Sequence, residues 1–98
     1  MLDCKLQNDV LTFSFDHSLD TNVCHRIEPV ILEKLNTEKY SKVIFDLKDV
    51  NYTASAFLRI CLTVAEKVGY EKFSIINTVP FIKKVFKIAG LDQKLNLH

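Results

Sequence analysis

A chain of 98 residues that is 48% hydrophobic can build one core but has no room for a second, so residues 1–98 are expected to fold as a single domain. The charged fraction of 26% and net charge of +1 argue against a disordered polar chain and against a strongly basic nucleic-acid surface. Three cysteines, Cys4, Cys24 and Cys61, are an odd number set in apolar segments, which fits buried thiols in a reducing, cytoplasmic compartment better than a disulfide framework. The opening residues lack a basic-then-apolar signal pattern, and no apolar run approaches the roughly 18 residues that cross a bilayer, so neither secretion nor membrane insertion is expected.

In chain order, Leu2, Cys4 and Leu6 alternate with polar residues, Asn8-Asp9 interrupts, and Leu11, Phe13 and Phe15 alternate again. A period of two broken by a turn pair predicts a β-hairpin with one buried face. Over residues 21–36 the spacing of Val23, Ile27, Val30, Ile31, Leu32 and Leu35 is helical, with Asp20 or Thr21 as N-cap, and Pro29 predicts a kink or a late start. Residues 42–47 form a short β-branched and aromatic run, the pattern of a central strand buried on both faces. A second helix is predicted from Ser55 to Val68, ended by Gly69. A strand over residues 72–77 and a third helix over 79–89 follow, with Pro80 in the tolerant first turn and Gly90 closing the helix. Residues 91–97 fit either a short last helix or an edge strand. The order β-β-α-β-α-β-α implies an α/β fold: a mixed sheet with an opening antiparallel hairpin, right-handed crossovers and helices packed on the sheet.

Three segments carry a family likeness. The stretch Lys42-Val-Ile-Phe-Asp-Leu-Lys-Asp-Val-Asn-Tyr-Thr-Ala-Ser-Ala-Phe-Leu-Arg59 resembles the signature of STAS domains, in which a buried strand ending in Asp-Leu leads to an Asp-Ser-Ser/Thr-Gly-Leu helix start. Leu19-Asp20 before the first helix and Lys84-Val-Phe-Lys-Ile-Ala-Gly-Leu91 near the end are also STAS-like. Within that family the chain resembles anti-sigma-factor antagonists, whose motif serine is phosphorylated by a partner kinase so that the partner is released. The resemblance puts that serine at Ser55, with Ala54 in place of the acidic residue, Ala56 in place of the second hydroxyl and Phe57 in place of glycine, while Leu58 is kept. It implies a non-enzymatic, partner-switching module in transcription regulation that binds an anti-sigma serine kinase or related regulator. The implied surface comprises Asn51, Tyr52, Thr53, Ala54, Ser55, Phe57, Leu58 and Arg59. The alternative is a constitutive structural subunit of a cytoplasmic or membrane-associated complex, such as those of lipid transport, in which Ser55 merely caps its helix.

Ser55 stands where a helix begins, and its hydroxyl is predicted to serve as N-cap. The second helix is apolar on most sides, so Phe57 is expected to be more than about a third exposed as a partner anchor, the competing reading being that it packs under a neighbouring element. Lys83, Lys84, Lys87 and Lys94 face only Asp92 near the end, whereas Asp3, Asp9, Asp16 and Asp20 face only Lys5 at the start, which predicts an axis of charge. The lysine cluster reads first as a solvated helix face and second as a surface for an acidic partner or membrane. No metal, cofactor or nucleic acid is expected: Cys24-His25 has no spaced second pair, and Gly69 and Gly90 alone make no phosphate loop.

Overall fold

The computed structural model describes residues 2–98. Strands β1 (Leu2–Gln7) and β2 (Val10–Leu19) pair antiparallel through Asn8 and Asp9, whose φ angles of 53° and 66° make the tight left-handed turn that a two-residue hairpin requires. Helix α1 (Thr21–Thr37) leads to β3 (Lys42–Thr53), α2 (Ser55–Val68) through the short 3-10 turn Tyr70–Lys72 to β4 (Phe73–Ile76), and α3 (Pro80–Ile88) to the C-terminal residues. The sheet order is β1-β2-β3-β4, with β2, β3 and β4 mutually parallel. Successive crossovers of one hand that step across the sheet in one direction put their helices on the same face.

Burial agrees with that layering. Leu11, Phe13 and Phe15 on β2, Val43, Phe45 and Leu47 on β3, and Phe73 and Ile75 on β4 are buried in one cluster with Cys24, Ile27, Ile31 and Leu35 of α1, Ile60 and Val64 of α2, and Ile82 and Phe86 of α3. Phe45 is its centre, in edge-on contact with Phe13, Phe15 and Phe73 at centroid distances of 5.7, 5.0 and 5.0 Å. Val10, Ile44 and Ile76, on the opposite side of the pleat, are half-buried and stand apart from this core. The central strand is therefore buried on one face, not on both as its composition predicted. Flanking strands shield Ile44 from the sides, which is enough to retain a β-branched residue there.

Pro29 lies inside α1, and the helix runs through it from an on-time start at Thr21. Pro29 and its neighbour His25 are both exposed, so water can serve the His25 carbonyl that loses its intrahelical donor. Asp20 is the N-cap, its Oδ1 accepting from the Val23 amide at 2.9 Å. The C-terminal residues form neither the short helix nor the edge strand expected of them: turns cover 92–96, then a single isolated parallel bridge joins Leu97 to Ile75 on the outer edge of β4. Asn96, with φ 51°, donates from Nδ2 to the Phe73 carbonyl at 3.0 Å and so fixes this edge.

Candidate functional site

The C-terminal ends of the parallel strands carry the starts of all three helices on one rim, the usual position for binding in open α/β sheets. Two irregularities shape it. Between Ser14↔Asp46 and Asp16↔Asp49, and again between His17↔Val50 and Ser18↔Tyr52, β3 advances one residue more than β2, so it carries two bulges. Its buried positions change spacing accordingly, from Val43, Phe45 and Leu47 to Leu47, Val50 and Thr53. The first bulge is held by Asp46, whose Oδ1 accepts from the Lys48 amide at 3.0 Å and from Asn77 Nδ2 at 3.1 Å. Asn77 (φ 60°) and His17 (φ 60°) adopt left-handed backbone at the ends of β4 and β2, an arrangement that side chains seldom take.

The second bulge delivers the predicted surface. The Ala54 amide donates to the Leu19 carbonyl at 2.9 Å, which fastens the start of α2 beside the start of α1. Asn51, Tyr52, Ser55 and Arg59 are exposed, and Ser18 Oγ donates to Asn51 Oδ1 at 3.5 Å across the strands. Ser55 and Arg59 are four residues apart on α2 and share one helix face. Thr53, by contrast, is buried, and its Oγ1 has no hydrogen-bond partner among the described residues. Leu58 is buried at 8% exposure, and Ala54 is half-buried.

Two sequence expectations are corrected here. Ser55 is not the N-cap of α2. The cap position, with extended backbone (φ −85°, ψ 163°), belongs to Ala54, which has no side-chain acceptor, and Ser55 is the first helical residue, exposed on the surface. The turn is closed by backbone alone, the Phe57 amide donating to the Ala54 carbonyl at 3.0 Å.

Phe57 is also not exposed. Its exposure is 0%, and its ring meets Phe15 at 5.2 Å and Phe45 at 5.9 Å, so it is a core residue rather than a partner anchor. The signal was present in the spacing: Phe57, Ile60, Cys61, Val64 and Ala65 fall at i, i+3, i+4, i+7 and i+8, one continuous stripe, and all are buried. Of the remaining apolar positions of α2, Leu58 is buried and Ala56, Leu62 and Val68 are half-buried against the same core.

Burial raises the Cys61 thiol well above its ordinary range, with Cys24 beside it adding to the effect. Cys24 is raised by burial and by the carboxylates of Asp20 and Glu28. Both thiols are thus protonated near neutral pH, the unreactive form.

The sequence profile of the STAS domain matches residues 1–98. The chain belongs to the STAS domain family. No curated protein matches it in sequence. Among solved structures, an anti-sigma factor antagonist from Mycobacterium paratuberculosis superposes with a TM-score of 0.89 at 21% identity, covering 100% of this chain and 84% of that one. The Bacillus cell fate determinant SpoIIAA in its phosphorylated form gives 0.73 at 14% identity, covering 100% and 91%. A murine anion transporter, Solute Carrier 26 family member A9, gives 0.70 at 13% identity over 91% of this STAS chain and 16% of its own. At these identities the likeness is one of fold. No helix among the described residues is long and apolar enough to cross a membrane.

Proposed function

We propose that this STAS chain acts as one protein-binding regulatory unit of the anti-sigma-factor-antagonist type, working by binding rather than catalysis in the cytoplasm. The partner, an anti-sigma serine kinase or related regulator, docks on the rim formed by Asn51, Tyr52, Ser55 and Arg59. The observation that supports this most is the position of Ser55, exposed as the first residue of a helix that has no side-chain cap. A phosphate there carries roughly −1.5 to −2 charges and is favoured by the positive end of the helix dipole. Phosphorylation therefore leaves the fold in place and changes only the surface that the partner meets. Phe57 and Leu58 contribute indirectly, by anchoring the first turn of α2 in the core.

The test begins with recovery of the native partner by pull-down, followed by affinity measurements on Ser55→Asp and Ser55→Ala. The switch requires Asp to abolish binding and Ala to preserve it. Unchanged affinity in Ser55→Asp rejects the switch and leaves the constitutive structural subunit as the better reading.

A further inference from the structure

Helix α3 presents an outer surface that the regulatory rim does not use. Ile82 and Phe86 point into the core, and Val85 is half-buried. Phe81 is 58% exposed and Ile88 77%, the two most exposed large apolar residues among those described. At 100° per residue, Phe81, Val85 and Ile88 fall within about 60° of one another, Lys84 lies about 60° from Phe81 and Lys87 about 100° from Ile88, while Lys83 lies about 160° from Phe81, on the far side of the helix. All three lysines are exposed, none makes an ion pair within the chain among the described residues, and no acidic residue occurs from 78 to 91. Single exposed apolar residues are ordinary on protein surfaces, but an aligned apolar strip bordered on one side by uncompensated lysines is not.

We propose that this face of α3 is a peripheral docking surface for an anionic lipid bilayer. The strip is convex and narrow, so a protein partner would need a groove shaped to it. A bilayer needs only apolar side chains able to sink to the headgroup boundary and cations able to remain among the phosphates. Lysines meet the second need because their alkyl stems lie along apolar surface while the ammonium stays in water. Each lysine near an anionic membrane strengthens partitioning about five-fold, so Lys84 and Lys87, on the flank of the strip, together supply about twenty-five-fold before Phe81 and Ile88 contribute. Such docking lays the helix on the membrane and spans nothing.

The experiment is co-sedimentation of the full chain at low salt with vesicles of equal phosphatidylglycerol and phosphatidylcholine, with vesicles of phosphatidylcholine alone, and with soluble polyglutamate as competitor. Binding is expected to the mixed vesicles and not to the neutral ones. Lys84→Gln and Lys87→Gln should each weaken it about five-fold, Phe81→Ser at least as much, and Lys83→Gln, on the far side of the helix, much less. Lys5→Gln, on β1, should leave it unchanged. Because all these side chains are exposed, thermal unfolding should stay within a few degrees of the parent and exclude misfolding as the cause. Absence of binding to the mixed vesicles overturns the proposal, as does equal binding to neutral ones. Indifference to Phe81→Ser together with full displacement by polyglutamate also overturns it, and assigns the face to an acidic protein instead.

Discussion

The ring of Phe57 meets that of Phe15 edge-on, with centroids 5.2 Å apart and planes at 77°. One ring comes from the first turn of α2 and the other from the strand that opens the parallel sheet, so the contact fixes the height and rotation of α2 over the core. Phe45 lies against both rings. The exposed residues of the rim hold their positions because this buried triangle holds the helix beneath them.

Phe57→Ala should lose about 3–5 kcal/mol, the usual result of emptying a fully buried aromatic site. For a domain of this size that lowers Tm by well over about 10 °C. Thermal or urea unfolding measures it, and a loss under about 1 kcal/mol would contradict the core assignment of this ring.

Ala54→Asp should stabilise the domain by about 1 kcal/mol, since it supplies the acceptor that the N-cap of α2 lacks and places a negative charge at the positive end of the helix. Ser55→Ala should change stability by less than about 0.5 kcal/mol, because the Ser55 hydroxyl caps nothing. Chemical denaturation of the two variants separates these positions. The reverse ranking would return the cap to Ser55.

Asp46→Ala removes the acceptor shared by the Lys48 amide and Asn77 Nδ2 and should cost about 1–2 kcal/mol, the lower part of the range for bonds to a charged group because Asp46 is half-buried. Asn77→Gly should be milder than Asn77→Ala by about 1 kcal/mol, as both lose the bond but only alanine resists the left-handed backbone. Amide exchange at Lys48 should accelerate in Asp46→Ala, which alone removes its acceptor.

Stability should fall in alkali. Cys61, Cys24 and Tyr40 are all raised in the folded chain, chiefly by burial, so the folded state keeps protons that the unfolded chain releases. By linkage, their contribution is intact below the ordinary thiol range near about 8.5 and declines as pH climbs from there through the raised folded values. Cys61→Ala should flatten that decline while lowering stability at neutral pH. Denaturant midpoints followed from pH 7 into alkali provide the measurement.

What the sequence determined by itself is what residues decide within a few positions of themselves. Asn8-Asp9 between two alternating runs specified the hairpin turn, Asp20-Thr21 the pair from which the cap of α1 is drawn, and the interval from Ser55 to Gly69 the full length of α2. The strand from Lys42 was legible only as far as Leu47, because the two bulges beyond it replace the period of two with steps of three, and a bulge depends on the partner strand. The tertiary structure alone decided that Ala54 takes the cap position: the Leu19 carbonyl, far back in the chain, captures the Ala54 amide and sets where helical geometry can begin. It decided the place of Phe57 in the same way. An apolar residue at a helix start can anchor a partner or a core, and here Phe15 and Phe45, brought up by strand pairing, supply the surface that buries it.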